Sequence, residues 1–187
     1  MKRILIIVLI LGLFADLKSQ QIDFFSESLT FRLQDGSFEV EGLYYMRNNT
    51  DAEIIQTLFY PFPDVKRYGK ISFVSIIKEG ETNSLLRNQT EYGAVFNITL
   101  KAKEEAAYHI RYIQELKTTE AKYIITTTQV WKKPFEEANY QIEYPLSMKL
   151  VKSSIEPDTT FQSGNLNIYR WNRKNFMPTV DFEFRYE

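Results

Sequence analysis

The last eight residues alternate without a break: Val180, Phe182, Phe184 and Tyr186 are interleaved with Asp181, Glu183, Arg185 and Glu187. A strand sends successive side chains to opposite faces, so this segment predicts one dry face and one charged face. The same period sets Phe38, Val40, Tyr44 and Met46 against Glu39, Glu41 and Arg47. It sets Tyr92, Ala94, Phe96, Ile98 and Leu100 against Asn97, Thr99 and Lys101. Tyr108, Ile110 and Tyr112 oppose His109 and Arg111, and Tyr140, Ile142 and Tyr144 oppose Gln141 and Glu143. Turn signals fall between these runs, the clearest being Asp35-Gly36, where a tight hairpin needs the positive φ that glycine adopts without strain. Residues 54–60 and 71–77 are apolar on both faces and are expected in the middle of a stack. Residues 101–107 are expected as a turn, because alternation resumes at Tyr108. About eleven short strands and no long amphipathic helix predict an all-β class, an antiparallel β-sandwich.

The N-terminus is of another kind. Met1-Lys2-Arg3 is followed by 11 residues, 4–14, without a polar side chain. Such a run reaches across only about half of a ~30 Å hydrocarbon core, which suits a secretory signal better than a spanning helix, the alternative being an uncleaved N-terminal anchor. Cleavage is expected near Ser19 or Gln20, leaving residues 20–187 as a single sandwich domain; the alternative is two small sandwiches divided near residues 117–120. Loss of residues 1–19 removes three cations and one anion, taking the net charge from −1 to −3. A surface so nearly balanced offers no field to gather phosphates, so nucleic acid is not an expected partner. The mature chain is expected to carry no integral membrane span, and an exported domain of this length can bury a core without disulfides.

Tests for chemistry mostly fail. With no Cys and one His, a zinc site within one chain is not expected, and no cofactor is expected. His109 is the only imidazole and lies mid-strand, opposite Tyr108 and Ile110. Ser75-Ile76-Ile77-Lys78 matches a Ser-x-x-Lys pattern, but in a strand residues three apart point to opposite faces. Glu104-Glu105 and Glu136-Glu137 are adjacent carboxylates in expected turns, whereas paired glycosidase acids come from separate elements. Aromatic content stands out, with 12 Tyr, 14 Phe and 2 Trp, and it directs attention to places where a strand yields to a loop. Tyr60-Pro61-Phe62-Pro63 and Trp131-Lys132-Lys133-Pro134 are two of them. Tyr60, Phe62, Trp131, Lys132 and Trp171 are therefore the candidate ligand-binding residues, since Tyr and Trp offer flat apolar faces with a polar edge. The competing reading is that these aromatics plug the ends of a sandwich.

Residues 39–63, through Glu39-Val40-Glu41-Gly42, Tyr44, Arg47-Asn48-Asn49-Thr50 and Tyr60-Pro61-Phe62-Pro63, resemble the opening of a class of exported bacterial proteins of unknown function. Residues 123–134, a strand ending in Trp-Lys-x-Pro, are similar to a later strand of that class. The first segment is also similar to the β-sandwich module of vault and inter-α-trypsin inhibitor proteins. The resemblance implies an exported, periplasmic or secreted location and a β architecture, and it brings no catalytic residue. The expected function is a non-enzymatic extracytoplasmic binding or structural module whose partner is a protein or cell-envelope component. The alternatives are a small outer-membrane β-barrel and a carboxylate-dependent hydrolase of envelope glycans.

Overall fold

The computed structural model describes residues 21–187; the apolar segment and the expected cleavage near Ser19 or Gln20 lie outside the described residues. Among the described residues the fold is all-β, with thirteen strands where the sequence suggested about eleven. A seven-stranded sheet is built, in spatial order, from β11 (Thr159–Ser163), β12 (Leu166–Phe176), β9 (Phe135–Pro145), β1 (Ile22–Gln34), β2 (Ser37–Asn48), β7 (Glu105–Leu116) and β4 (Gly69–Lys78). A three-stranded sheet holds β10 (Leu150–Ser153), β13 (Phe182–Tyr186) and β8 (Glu120–Tyr123). A second one holds β3 (Ile54–Pro61), β6 (Gly93–Leu100) and β5 (Leu86–Thr90). Among the described residues no helix is long and apolar enough to cross a membrane.

The expected hairpin forms at Asp35-Gly36, with Gln34 opposite Ser37 and Gly36 at φ 70°. The purely antiparallel arrangement is corrected, because β1 pairs with β9 in parallel, Ser26 with Glu137 through Arg32 with Glu143. A parallel neighbour requires a long crossover, and here the intervening chain builds most of the molecule. Through this pairing, strands from both sides of residues 117–120 share one sheet. Among the described residues the large sheet ends at β11 and β4 without closing on itself.

Both small sheets lie on the same face of the large one. Phe31 meets Phe182 and Phe184 at centroid distances of 5.3 and 5.7 Å, and Trp171 meets Phe182 at 5.1 Å. On the other side Tyr60 packs against Tyr44 at 5.7 Å and Tyr112 at 5.9 Å. Alternation works as expected in β2, β7, β9 and β13, whose odd or even residues fill this core. It overreaches at the ends: Val180 is exposed ahead of β13, and Tyr92 is exposed in the turn before β6.

Two further expectations fail. The doubly apolar segments are not central: β3 and β4 are edge strands, and Ile55, Phe59 and Phe73 are exposed. On β4 the Phe73 ring is covered instead by the Arg111 guanidinium, 5.2 Å from its centroid. The segment ending in Trp-Lys-x-Pro is not a strand to its end either. After β8 it turns into a 3₁₀ helix, Thr126–Trp131. Asp181 imposes that turn by accepting hydrogen bonds from the backbone N–H of Ile125 and Thr126 and from the Thr126 hydroxyl, at 3.1, 3.0 and 2.7 Å.

β1 and β2 approach each other closely at Gly42, which faces Leu29. A Cβ there would land on the Ser28 carbonyl oxygen and 2.8 Å from Leu29 Cα, both backbone atoms that cannot swing aside. Gly42→Ala is expected to cost about 1–3 kcal/mol, read as a lower urea midpoint. An unchanged midpoint would show that the strands can part there freely.

Candidate functional site

The face of the large sheet between the two small ones is not fully covered, and a cleft of about 670 Å³ opens there. One wall is β3, residues 56–61, and the other is the chain from Tyr123 through the 3₁₀ helix to Trp131. The floor is Ile22, Phe24 and Glu27 of β1, Tyr44 and Met46 of β2, and Ile110 of β7. Volume and a mostly apolar lining fit a ligand-sized site.

The floor carries one acid. Glu27 reaches it because β1 is bulged between Phe24 and Ser26, so that Ile22 and Phe24 and then Glu27, Leu29 and Phe31 all turn inward despite opposite parity. Its carboxyl is buried, 1% exposed. Tyr140 donates to Glu27 Oε1 at 2.6 Å, and Tyr123 approaches Oε2 at 3.4 Å. The chain of hydroxyls continues from Tyr123 to Tyr44 at 3.2 Å and from Tyr44 to Tyr60 at 2.7 Å. Burial pushes the Glu27 carboxyl up to about 8, against the hydrogen bonds from Tyr140 and Tyr123, which favour the ionised form. The same burial raises Tyr44, Tyr60, Tyr123 and Tyr140 well above the usual phenol range. Near neutral pH the floor is thus an uncharged carboxyl in a ring of neutral hydroxyls, able both to donate and to accept hydrogen bonds under an apolar cleft.

Of the residues singled out in the sequence, Tyr60 and Trp131 face each other across this cleft. Trp131 stands edge-on to Phe24, with centroids 5.9 Å apart. Phe62 is buried behind Tyr60, against Tyr112 at 5.4 Å, and supports the wall from outside. Lys132 does not line the cleft: at φ 54° it ends the 3₁₀ helix, its backbone N–H donating to Gln129 O at 3.0 Å. Trp171 is corrected outright. It is wholly buried against Phe182 and Phe184, and its indole N–H donates to Ile155 O at 3.1 Å.

The other candidates lie away from the cleft. His109 Nε2 is 3.1 Å from Glu41 Oε1, in a charged array on the opposite face with Arg32, Glu39 and Arg111. Glu104 pairs with Lys78 at 2.6 Å, Glu136 with Arg47 at 2.5 Å, and Glu137 accepts from Asn139. Among the described residues no three acidic or imidazole side chains gather to hold a metal. Sequence reasoning missed Glu27, Tyr44 and Tyr123 as a group. A signal for Glu27 exists, since counting back by twos from Phe31 through Leu29 puts it on the dry face.

No family model matches the sequence, and no curated protein is similar to it. Solved structures are similar in shape. A candidate nutrient-binding protein from Legionella pneumophila superposes with a TM-score of 0.71 over 89% of this chain and 67% of that one, at 12% identity. An M1 zinc metallopeptidase from Deinococcus radiodurans superposes at 0.54 over 89% of this chain and 42% of that one, also at 12% identity. A two-domain M1 zinc metallopeptidase variant bound to L-arginine does so at 0.54, 12% identity, over 88% and 42%. The likeness is one of fold. The chain spans less than half the length of either peptidase.

Proposed function

We propose that this chain is a non-enzymatic, extracytoplasmic binding module of sandwich type, and that its ligand enters the cleft between β3 and the 3₁₀ helix. The observation that carries this reading is the pairing of an open apolar cleft with a buried polar floor, Glu27 and the hydroxyls of Tyr44 and Tyr123. An apolar recess binds by removing apolar surface from water, and a few polar groups at its base set orientation. The shape shared with a candidate nutrient-binding protein supports a binding role. The basic, apolar N-terminus and the resemblance to exported proteins support an extracytoplasmic location. The partner is a molecule of the cell envelope or its surroundings.

The test uses the neutral fluorophore N-phenyl-1-naphthylamine, whose emission rises in apolar surroundings. The protein is expected to take it up saturably. Leu58→Glu, which places a carboxylate on a half-buried wall residue, is expected to weaken uptake about tenfold or more. Absence of uptake by the unaltered protein, or equal uptake by the variant, overturns the assignment of the cleft.

A further inference from the structure

β3 borders the cleft in an unusual way. Six consecutive residues, 56–61, line it. A strand points successive side chains to opposite faces, so a cleft lying over one face touches every second residue. Contact with six in a row means that the cleft runs along the edge of the strand.

That edge is free. β3 is terminal in its sheet, with β6 as its only partner strand among the described residues. The parity follows from the next residue, since the Phe62 N–H donates to Tyr92 O at 2.9 Å, continuing the register in which Tyr60 faces Ala94. In an antiparallel pair every second residue exchanges hydrogen bonds with its partner, and the residues between them turn N–H and C=O the other way. Even-numbered residues of β3 therefore bond to β6, and Ile55, Thr57 and Phe59 present donors and acceptors to the free edge. The Thr57 carbonyl already draws a donor, the side-chain amide of its neighbour Gln56, at 3.1 Å.

Free edges are ordinarily blunted by bulges or charges. Two edges here follow that rule, β4 and β5 each carrying a register shift, while β11 has neither a shift nor a charged side chain. β3 pairs with β6 without a shift, and residues 54–60 include no charged side chain. The opposite wall, from Ile124 to Trp131, is apolar or hydroxylic and presents no charge to the cleft.

We infer that the cleft receives an extended, uncharged, apolar peptide segment, which adds to the sheet as a fourth strand beside β3. This rests on the cleft being the ligand site and names the class of ligand. Only a polypeptide in extended conformation offers donors and acceptors at the two-residue repeat set by Ile55, Thr57 and Phe59. Its alternate side chains would descend toward Met46 and Tyr44, and the floor there disfavours charge.

Fluorescein-tagged hexapeptides of Val or Leu alternating with Thr or Ser, amidated at the C-terminus, provide the test by fluorescence polarisation. N-phenyl-1-naphthylamine is titrated in parallel. N-methylating alternate residues of the tightest peptide is expected to weaken it about tenfold or more in one register and less than about twofold in the other, because only one register faces β3. Thr57→Pro removes an N–H that β6 does not use, a place where a strand tolerates proline. It is expected to weaken the peptide by about tenfold or more and the naphthylamine, which uses no backbone N–H, by a clearly smaller factor. Equal loss in both registers, an unaffected peptide in Thr57→Pro, or uptake of the naphthylamine with no hexapeptide binding overturns the peptide inference while the cleft assignment stands. Failure of both probes overturns both.

Discussion

Glu27→Gln is expected to abolish a fall in stability that the unaltered protein shows between about pH 5 and about pH 8. The carboxyl is held near 8 in the folded chain against an ordinary value of 4.5, because burial penalises its ionised form. Over that interval the folded chain keeps the proton and the unfolded chain has released it. Each rise in pH therefore favours the unfolded state, until the folded carboxyl also ionises. Its stabilising contribution is complete below about 4.5 and lost by about 8, a change on the order of 3–5 kcal/mol. Glutamine has the shape of the protonated acid and does not titrate. The two proteins should agree to within about 1 kcal/mol near pH 5 and diverge by several near pH 8.5, the variant being the more stable. Carboxylates held low, Asp23 and Asp158 among them, act in a more acidic range, and the raised tyrosines act above about pH 10. Urea unfolding across this range measures the difference, and parallel curves would mean that Glu27 is ionised in the fold.

Phe31→Ala should be the most damaging truncation in the core. The ring is wholly buried and stands within 6.4 Å of Phe38 and Tyr140 on its own sheet and of Tyr123, Phe182 and Phe184 on the one opposite. Removing it deletes the contact between two layers and leaves a cavity that five other rings cannot all close. The expected cost is about 3–5 kcal/mol, a large share of the stability of a typical domain. Val180→Ala, at an exposed position, provides the comparison and should cost less than about 0.5 kcal/mol. Similar urea midpoints for the two variants would show that the small sheet is not held through Phe31.

The success and failure of reading alternation divide cleanly. It identified the inward faces of β2, β7, β9 and β13, and Asp35-Gly36 located the hairpin that joins β1 to β2. It failed for β3 and β4, where apolar residues on both faces suggested central strands. At β3 those residues border the cleft, and at β4 one is shielded by Arg111. Of the candidate site, Tyr60 and Trp131 were legible as aromatics at strand ends, whereas Trp171 looked no different from Trp131 and lies in the core.

By itself the sequence determined that residues 21–187 are predominantly β and which side chains of most strands leave water, since both follow from a local period and from turn residues a few positions apart. Tertiary structure alone decided the parallel joining of β1 to β9, the 3₁₀ turn capped by Asp181, and the burial of Glu27 among four tyrosines. These depend on which distant segments meet. A period of two sets the direction in which a side chain points, and carries no information about what it will find there.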